Sequence, residues 1–103
     1  MLLHCVFLNF SDDVSTDRRM EVLSALAALT EEVDGMLAFA YGPNRDFERK
    51  TPDHGEGFVI TFRDRAAHLA YERHPTHRAL GAQLEQMCEG GADGIAVYDI
   101  DCM

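Results

Sequence analysis

Residues 2–10 read Leu2-Leu3-His4-Cys5-Val6-Phe7-Leu8-Asn9-Phe10, and the polar Ser11-Asp12-Asp13 follows at once. A short, almost wholly apolar run stopped by turn formers is a strand signal. No basic segment precedes it, so it does not read as a secretory leader. Alternate side chains of a strand face opposite ways. His4, Val6, Leu8 and Phe10 therefore share one face, and Leu3, Cys5, Phe7 and Asn9 share the other. Residues 36–41 repeat the pattern, with Leu37, Phe39 and Tyr41 opposite Met36, Ala38 and Ala40. A sheet with one face on helices and the other in water alternates apolar with polar. These strands do not alternate, which predicts that both faces are covered. A broad apolar patch marks a protein interface, and two-fold pairing is the commonest way to bury one. The expectation is a homodimer whose sheets pack face to face.

The rest of the chain supplies the other elements. Ser15 or Thr16 is placed to cap a helix with Asp17 in its first turn, where the helix dipole favours a carboxylate. Val22, Leu26, Leu29 and Val33, with Leu23 and Ala27, form its apolar stripe. Asp34-Gly35 ends it, glycine being free to turn left-handed. A polar stretch, 43–57, is too long for a tight hairpin. Residues 58–62 read as a strand, and Asp64 caps a second helix carrying Ala66, Ala67, Ala70 and Tyr71. Pro75 interrupts that helix and suits the first turn of another running towards Cys88. Gly90, Gly91 and Gly94 make a turn, and Ile95–Asp101 is the last strand. The order β-α-β-β-α-β is that of an α+β, ferredoxin-like fold. Right-handed crossovers put strands one and three in the centre of a four-stranded antiparallel sheet with the helices on one face. Residues 1–103 are expected to form one domain.

Composition narrows the partners. The net charge of −9 over 103 residues repels nucleic acid and anionic membrane alike. No run has the length of a membrane span. Cys5, Cys88 and Cys102 are odd in number and unpaired in spacing, which reads as reduced thiols in a cytoplasmic protein. Cys5, in an apolar strand, reads as a small buried hydrophobe.

The segment Tyr71-Glu72-Arg73-His74-Pro75-Thr76-His77-Arg78-Ala79-Leu80 holds the groups suited to chemistry. With a helix starting at Pro75, His77, Leu80, Leu84 and Met87 fall on one apolar face that looks at the sheet. Tyr71 closes the preceding helix and can border the same space, as can His4 from strand one. The expected pocket is walled by His4, Val6 and Leu8, by Phe58 of strand three, and by His74, Leu80 and Leu84. A histidine titrating near neutrality beside a buried tyrosine suits general acid–base work. A structural role for the same histidines, capping backbone groups or filling space, stands beside it. His74 and His77 lie across a proline break, and no acidic partner sits at a ligand spacing, so no metal is expected. His68 and His54 read as solvated. Arg45, Arg49 and Lys50 stand out as cations of a polar loop, and Asp99 and Asp101 either bond a histidine or face water.

The segment Tyr71–Leu80, with Thr61-Phe62 before it, Val97-Tyr98-Asp99 after it and His4 near the start, resembles the stress-responsive A/B barrel (Dabb) family. The resemblance implies a dimeric α+β barrel. The family includes a plant polyketide cyclase in which a tyrosine and the second histidine of H-P-x-H promote an aldol closure. Tyr71 and His77 match those two positions, and His4 matches a strand-one histidine. A further histidine of that cyclase falls on Glu56 here, a departure that bears on the substrate. The resemblance thus implies a small, partly apolar carbonyl or phenolic ligand, with Tyr71 and His77 as catalytic candidates and no cofactor. A non-catalytic stress or binding protein and a heme- or metal-assisted oxygenase are the alternatives.

Overall fold

The computed structural model describes residues 1–103. It contains strand β1 (Leu2–Leu8), helix α1 (Thr16–Ala27), β2 (Met36–Pro43), β3 (Glu56–Phe62), α2 (Arg65–Arg73), α3 (Pro75–Met87) and β4 (Ile95–Asp101). Two 3-10 turns, Ala28–Glu31 and Gly91–Gly94, carry the chain out of α1 and into β4. The sheet is antiparallel in the order β2-β3-β1-β4, with β1 and β3 central. This is the ferredoxin-like arrangement read from the sequence.

Local chemistry accounts for the boundaries. The Ser15 side chain accepts from the Arg18 amide and starts α1, and the Asp64 carboxylate accepts from the Ala67 amide and starts α2. Pro75 has no amide hydrogen to offer α2, so the chain stops and turns there. His74 then caps α3 by accepting from the Thr76 amide at Nδ1, 3.1 Å away. Gly35 adopts φ +85°, and a methyl group on it would meet Ala67 Cβ at 2.6 Å. The turn out of α1 therefore needs glycine for both its backbone sign and its close approach to α2.

The core lies between the sheet and the helices. Leu8, Ile60 and Phe62 from the sheet and Val22, Leu26 and Leu29 from the α1 region are almost wholly buried. Phe39 stacks on Phe58 with ring centroids 5.1 Å apart. The Arg18 guanidinium donates to Gln83 Oε1 at 2.7 Å and ties α1 to α3.

The opposite face has no layer over it within one chain. Register places Leu3, Cys5 and Phe7 there, between Gly57, Val59 and Thr61 on one side and Ala96, Tyr98 and Ile100 on the other. Ala38, Ala40 and Gly42 of β2 complete it, and none of these side chains carries a charge. Cys5 is nonetheless buried, whereas Tyr98 and Ile100 are more than half exposed.

The structure corrects the reading of β2. A register shift between Met36 and Ala38 puts Met36 opposite Phe62, in line with Phe39 opposite Ile60 and Tyr41 opposite Phe58. Met36 is thus the buried residue and Leu37 is 53% exposed. A bulge inserts one residue and breaks strict alternation, which is how Leu37 leaves the Phe39–Tyr41 face.

Candidate functional site

A cavity of about 280 Å³ lies between the β1–β4 half of the sheet and the α2–α3 corner. His4 and Val6 of β1, Phe58 of β3, Tyr71 of α2, and His77 and Leu84 of α3 all line it. The structure therefore brings both catalytic candidates and four of the expected wall residues to one space. Leu8, Leu80 and His74 are not on its wall. Leu8 and Leu80 are core residues, and His74 is occupied as the α3 cap with Nε2 3.7 Å from Glu32. A proline break makes the residue before it a capping position, which draws His74 to the backbone.

His68 was expected in solvent and is instead buried, 6% exposed, on the cavity wall. The spacing carried a signal for this. His68 lies three residues before Tyr71, and such pairs share a helix face. Asp99 also lines the cavity, together with Leu26, Glu72, Gly81, Ile95 and Val97, which the sequence did not assign to it. Gly81 follows His77 by one helical turn, and a methyl group there would meet no atom within 4 Å. Its missing side chain leaves room beside the histidine.

Hydrogen bonds set the protons of the three rings. His77 Nδ1 donates to the Glu72 carbonyl at 3.2 Å, so its lone pair lies on Nε2. Burial pushes the His77 pKa down, which favours the neutral, proton-accepting ring. His4 Nδ1 donates to Asp99 Oδ1 at 2.6 Å, leaving Nε2 as acceptor in its neutral form. At His68 the order reverses. Arg65 has only donors, so its Nη1, 2.6 Å from His68 Nδ1, requires the lone pair there and the proton on Nε2. Burial also lowers the His68 pKa.

Tyr71 is 2% exposed and burial raises its pKa, so its phenol stays protonated at neutral pH. Its ring centre is 4.2 Å from that of His77 and 5.9 Å from that of His4. Phe62 packs against Tyr71, His68 and His4 from the sheet side. Together these groups offer a hydroxyl donor beside an imidazole acceptor within an apolar wall. That pairing can take a proton from a carbon acid while holding the oxygen that gains charge.

One ligand atom from each of His4, His68 and Asp99 falls within 4.8 Å of the others, a spacing a cation could bridge. The donor chemistry argues against that use. His4 and Asp99 are bonded to each other, and a guanidinium stands at His68 Nδ1.

A larger cleft, about 670 Å³, opens beneath residues 43–51, with Arg45 and Lys50 on its wall. It holds no histidine, and it borders Phe7, Gly57 and Val59 of the open face. The catalytic candidates Tyr71 and His77 are both in the smaller cavity. His54, also expected in solvent, is partly buried within the polar loop, its carbonyl accepting from the Asn44 side chain.

The sequence pattern of the stress-responsive A/B barrel domain (Dabb) matches residues 2–102. The chain belongs to the Dabb family. Among Dabb proteins, it is 26% identical over 96 residues to the stress-response A/B barrel domain-containing protein HS1 of Arabidopsis thaliana, covering 93% of this chain and 84% of that protein. A dimeric ferredoxin-like protein of unknown function from Jannaschia sp. CCS1 is 44% identical, with a TM-score of 0.92 and 98% of each chain covered. The hydroxynitrile lyase of Passiflora edulis superposes with a TM-score of 0.84 over 99% of this chain and 93% of its own, at 15% identity. That last likeness concerns the fold alone. No helix of this Dabb chain is long and apolar enough to cross a membrane.

Proposed function

We propose that this Dabb protein is a homodimer that binds a small, partly apolar carbonyl or phenolic compound and catalyses cofactor-free proton transfer on it. The observation that carries the chemistry is the 4.2 Å approach of the Tyr71 and His77 rings on the wall of one cavity. In the proposed step the His77 Nε2 lone pair takes a proton from the carbon next to a carbonyl. The C–H bonding pair becomes the enolate double bond, and the carbonyl oxygen takes up the charge. The Tyr71 hydroxyl donates to that oxygen, and return of the proton regenerates the ring. The hydroxynitrile lyase on the same fold supports catalysis as a use of this architecture. The uncharged open face and the dimeric relative of 44% identity support the pairing.

Hydrogen–deuterium exchange at the methyl group of acetophenone, followed by NMR in deuterated buffer, tests the step. Exchange above the buffer rate is expected for the wild type. His77→Ala and Tyr71→Phe are each expected to lose ~10²–10⁴-fold, and a chelator to change nothing. A wild-type rate equal to buffer would leave the cavity as a binding site only, the alternative role of the same residues.

A further inference from the structure

The proton-transfer step uses His77 and Tyr71 and leaves His68 without a role. Its placement is not that of a space-filling ring. His68 is 6% exposed and lines the cavity, and its Nδ1 is taken by Arg65, which reaches it from one turn earlier on α2. Nε2 therefore carries a proton, and it has no partner in the protein. Glu56 Oε2 is the one sealed side-chain atom that lacks a hydrogen bond. The His68 Nε2–H is thus not sealed, and the ring that carries it lines the cavity.

Beside it stands a ring of opposite character. The His4 centroid is 4.9 Å from that of His68, and Asp99 holds the His4 proton on Nδ1, leaving Nε2 to accept. Two carboxyl-bearing residues, Glu72 and Asp99, share the wall of a protein of net charge −9, which disfavours an anion. We infer that His68, with its tautomer set by Arg65, donates a hydrogen bond to the ligand, and that His68 and His4 side by side select a neutral compound with a hydroxyl next to a carbonyl. The carbonyl accepts from His68 and the hydroxyl donates to His4. Val6, Leu84 and Val97 face the remainder, which suits an aromatic or short aliphatic group. The inference rests on the cavity being a ligand site, and it does not need the proton-transfer step. Arg65 is a positioning residue in this arrangement, since it acts through His68.

Two measurements test it. Long-range ¹⁵N–¹H NMR of the imidazoles reads the tautomer directly. His68 is expected as the Nε2–H form in the wild type and as a mixture in Arg65→Met, an exposed position where the fold is retained. An Nδ1–H form or an imidazolium at neutral pH in the wild type overturns the assignment. The second measurement is binding of 2-hydroxyacetophenone and of 2-phenylethanol, which lacks the carbonyl. Wild type is expected to prefer the ketone by ~3–10-fold, the worth of one hydrogen bond. His68→Leu is expected to erase that preference, and His68→Gln, which keeps an N–H near the same place, to restore part of it. An equal preference in wild type and His68→Leu refutes the role of His68. Should His68→Leu not fold, the same comparison between wild type and Arg65→Met decides. No saturable binding of the ketone to wild type overturns the ligand class, and it does so without touching the exchange test of His77 and Tyr71.

Discussion

The two faces of the sheet are built by the same strands, and they differ in what they leave unpaired. On the helix-covered face, β1 carries His4 between Leu2 and Val6, and β4 answers it with Asp99 at 2.6 Å. On the open face the same strands carry Leu3, Cys5 and Phe7 against Ala96, Tyr98 and Ile100. The first face buries polar groups and gives each hydrogen bond a direction. The second has no charge to place and is satisfied by contact with another apolar surface. A buried polar group left without a hydrogen bond costs about 1–3 kcal/mol, as much as burying an apolar side chain gains. Ionisable groups such as His4, His68 and Asp99 are therefore concentrated where helices leave a cavity, and charged side chains are absent where two flat surfaces would meet.

That contrast can be broken from either side. The largest effect is expected at Phe62, which is fully buried against His4, His68 and Tyr71. Phe62→Ala is expected to cost ~3–5 kcal/mol in denaturant unfolding, through lost burial and the cavity left behind. A loss below ~1 kcal/mol would mean that the rings are not held by this packing.

On the open face, Val59 sits at the centre between Cys5 and Ala40. Val59→Glu brings unpaired carboxylates into the proposed dimer interface, and one uncompensated buried charge costs about 3–5 kcal/mol. Dissociation is then expected at concentrations where wild type remains paired, read by light scattering, while the Tyr71–His77 cavity stays intact. A monomeric wild type would remove the reason for an uncharged face.

A third effect comes from pH. His77 and His68 have folded-state pKa values below their unfolded ones because burial opposes the charged ring. Their unfolded forms bind protons first as pH falls below ~6.5. Stability is therefore full above that value and declines as pH drops towards the folded pKa values. Thermal unfolding from pH 8 to pH 5 checks the sign. A melting temperature that rises on acidification through this window would contradict it, and His68→Gln is expected to flatten the decline.

The smallest effect is at Gly81. Alanine there meets open space and is the better helix former, so Gly81→Ala is expected to raise stability by about 1 kcal/mol. Gly81→Leu is expected to fill the space beside His77 and abolish ketone binding with the fold retained. Unchanged binding would move the ligand away from His77.

Much of this architecture was legible because local physics acts within a few residues. The Asp64 cap, the break at Pro75, the left-handed Gly35 and the two-sided apolar β1 each follow from a side chain and its near neighbours. Leu37 was misplaced because a bulge depends on how β2 registers with β3, and no alternation rule holds across the extra residue. Sequence places both His74 and His77 at the pocket, one as wall and one as catalytic candidate. Yet His74 caps α3 and only His77 lines the cavity, separated by the turn that Pro75 imposes.

His68 marks the boundary most clearly. A histidine amid Arg65, Ala66 and Ala70 has the neighbours of a solvated helix face. Its three-residue spacing to Tyr71 is the one local signal to the contrary. The packing of α2 on β3, with Tyr71 and Phe62 as close neighbours, turns that residue inward and makes Arg65 the group that orients it. The sequence alone determined the order of elements, the uncharged second face and the residues able to move a proton, because each rests on spacing along one strand or helix. The tertiary structure decided which of them share a cavity and which nitrogen of each ring carries the proton. Both depend on partners such as Asp99, 95 residues from His4, that no local pattern brings together.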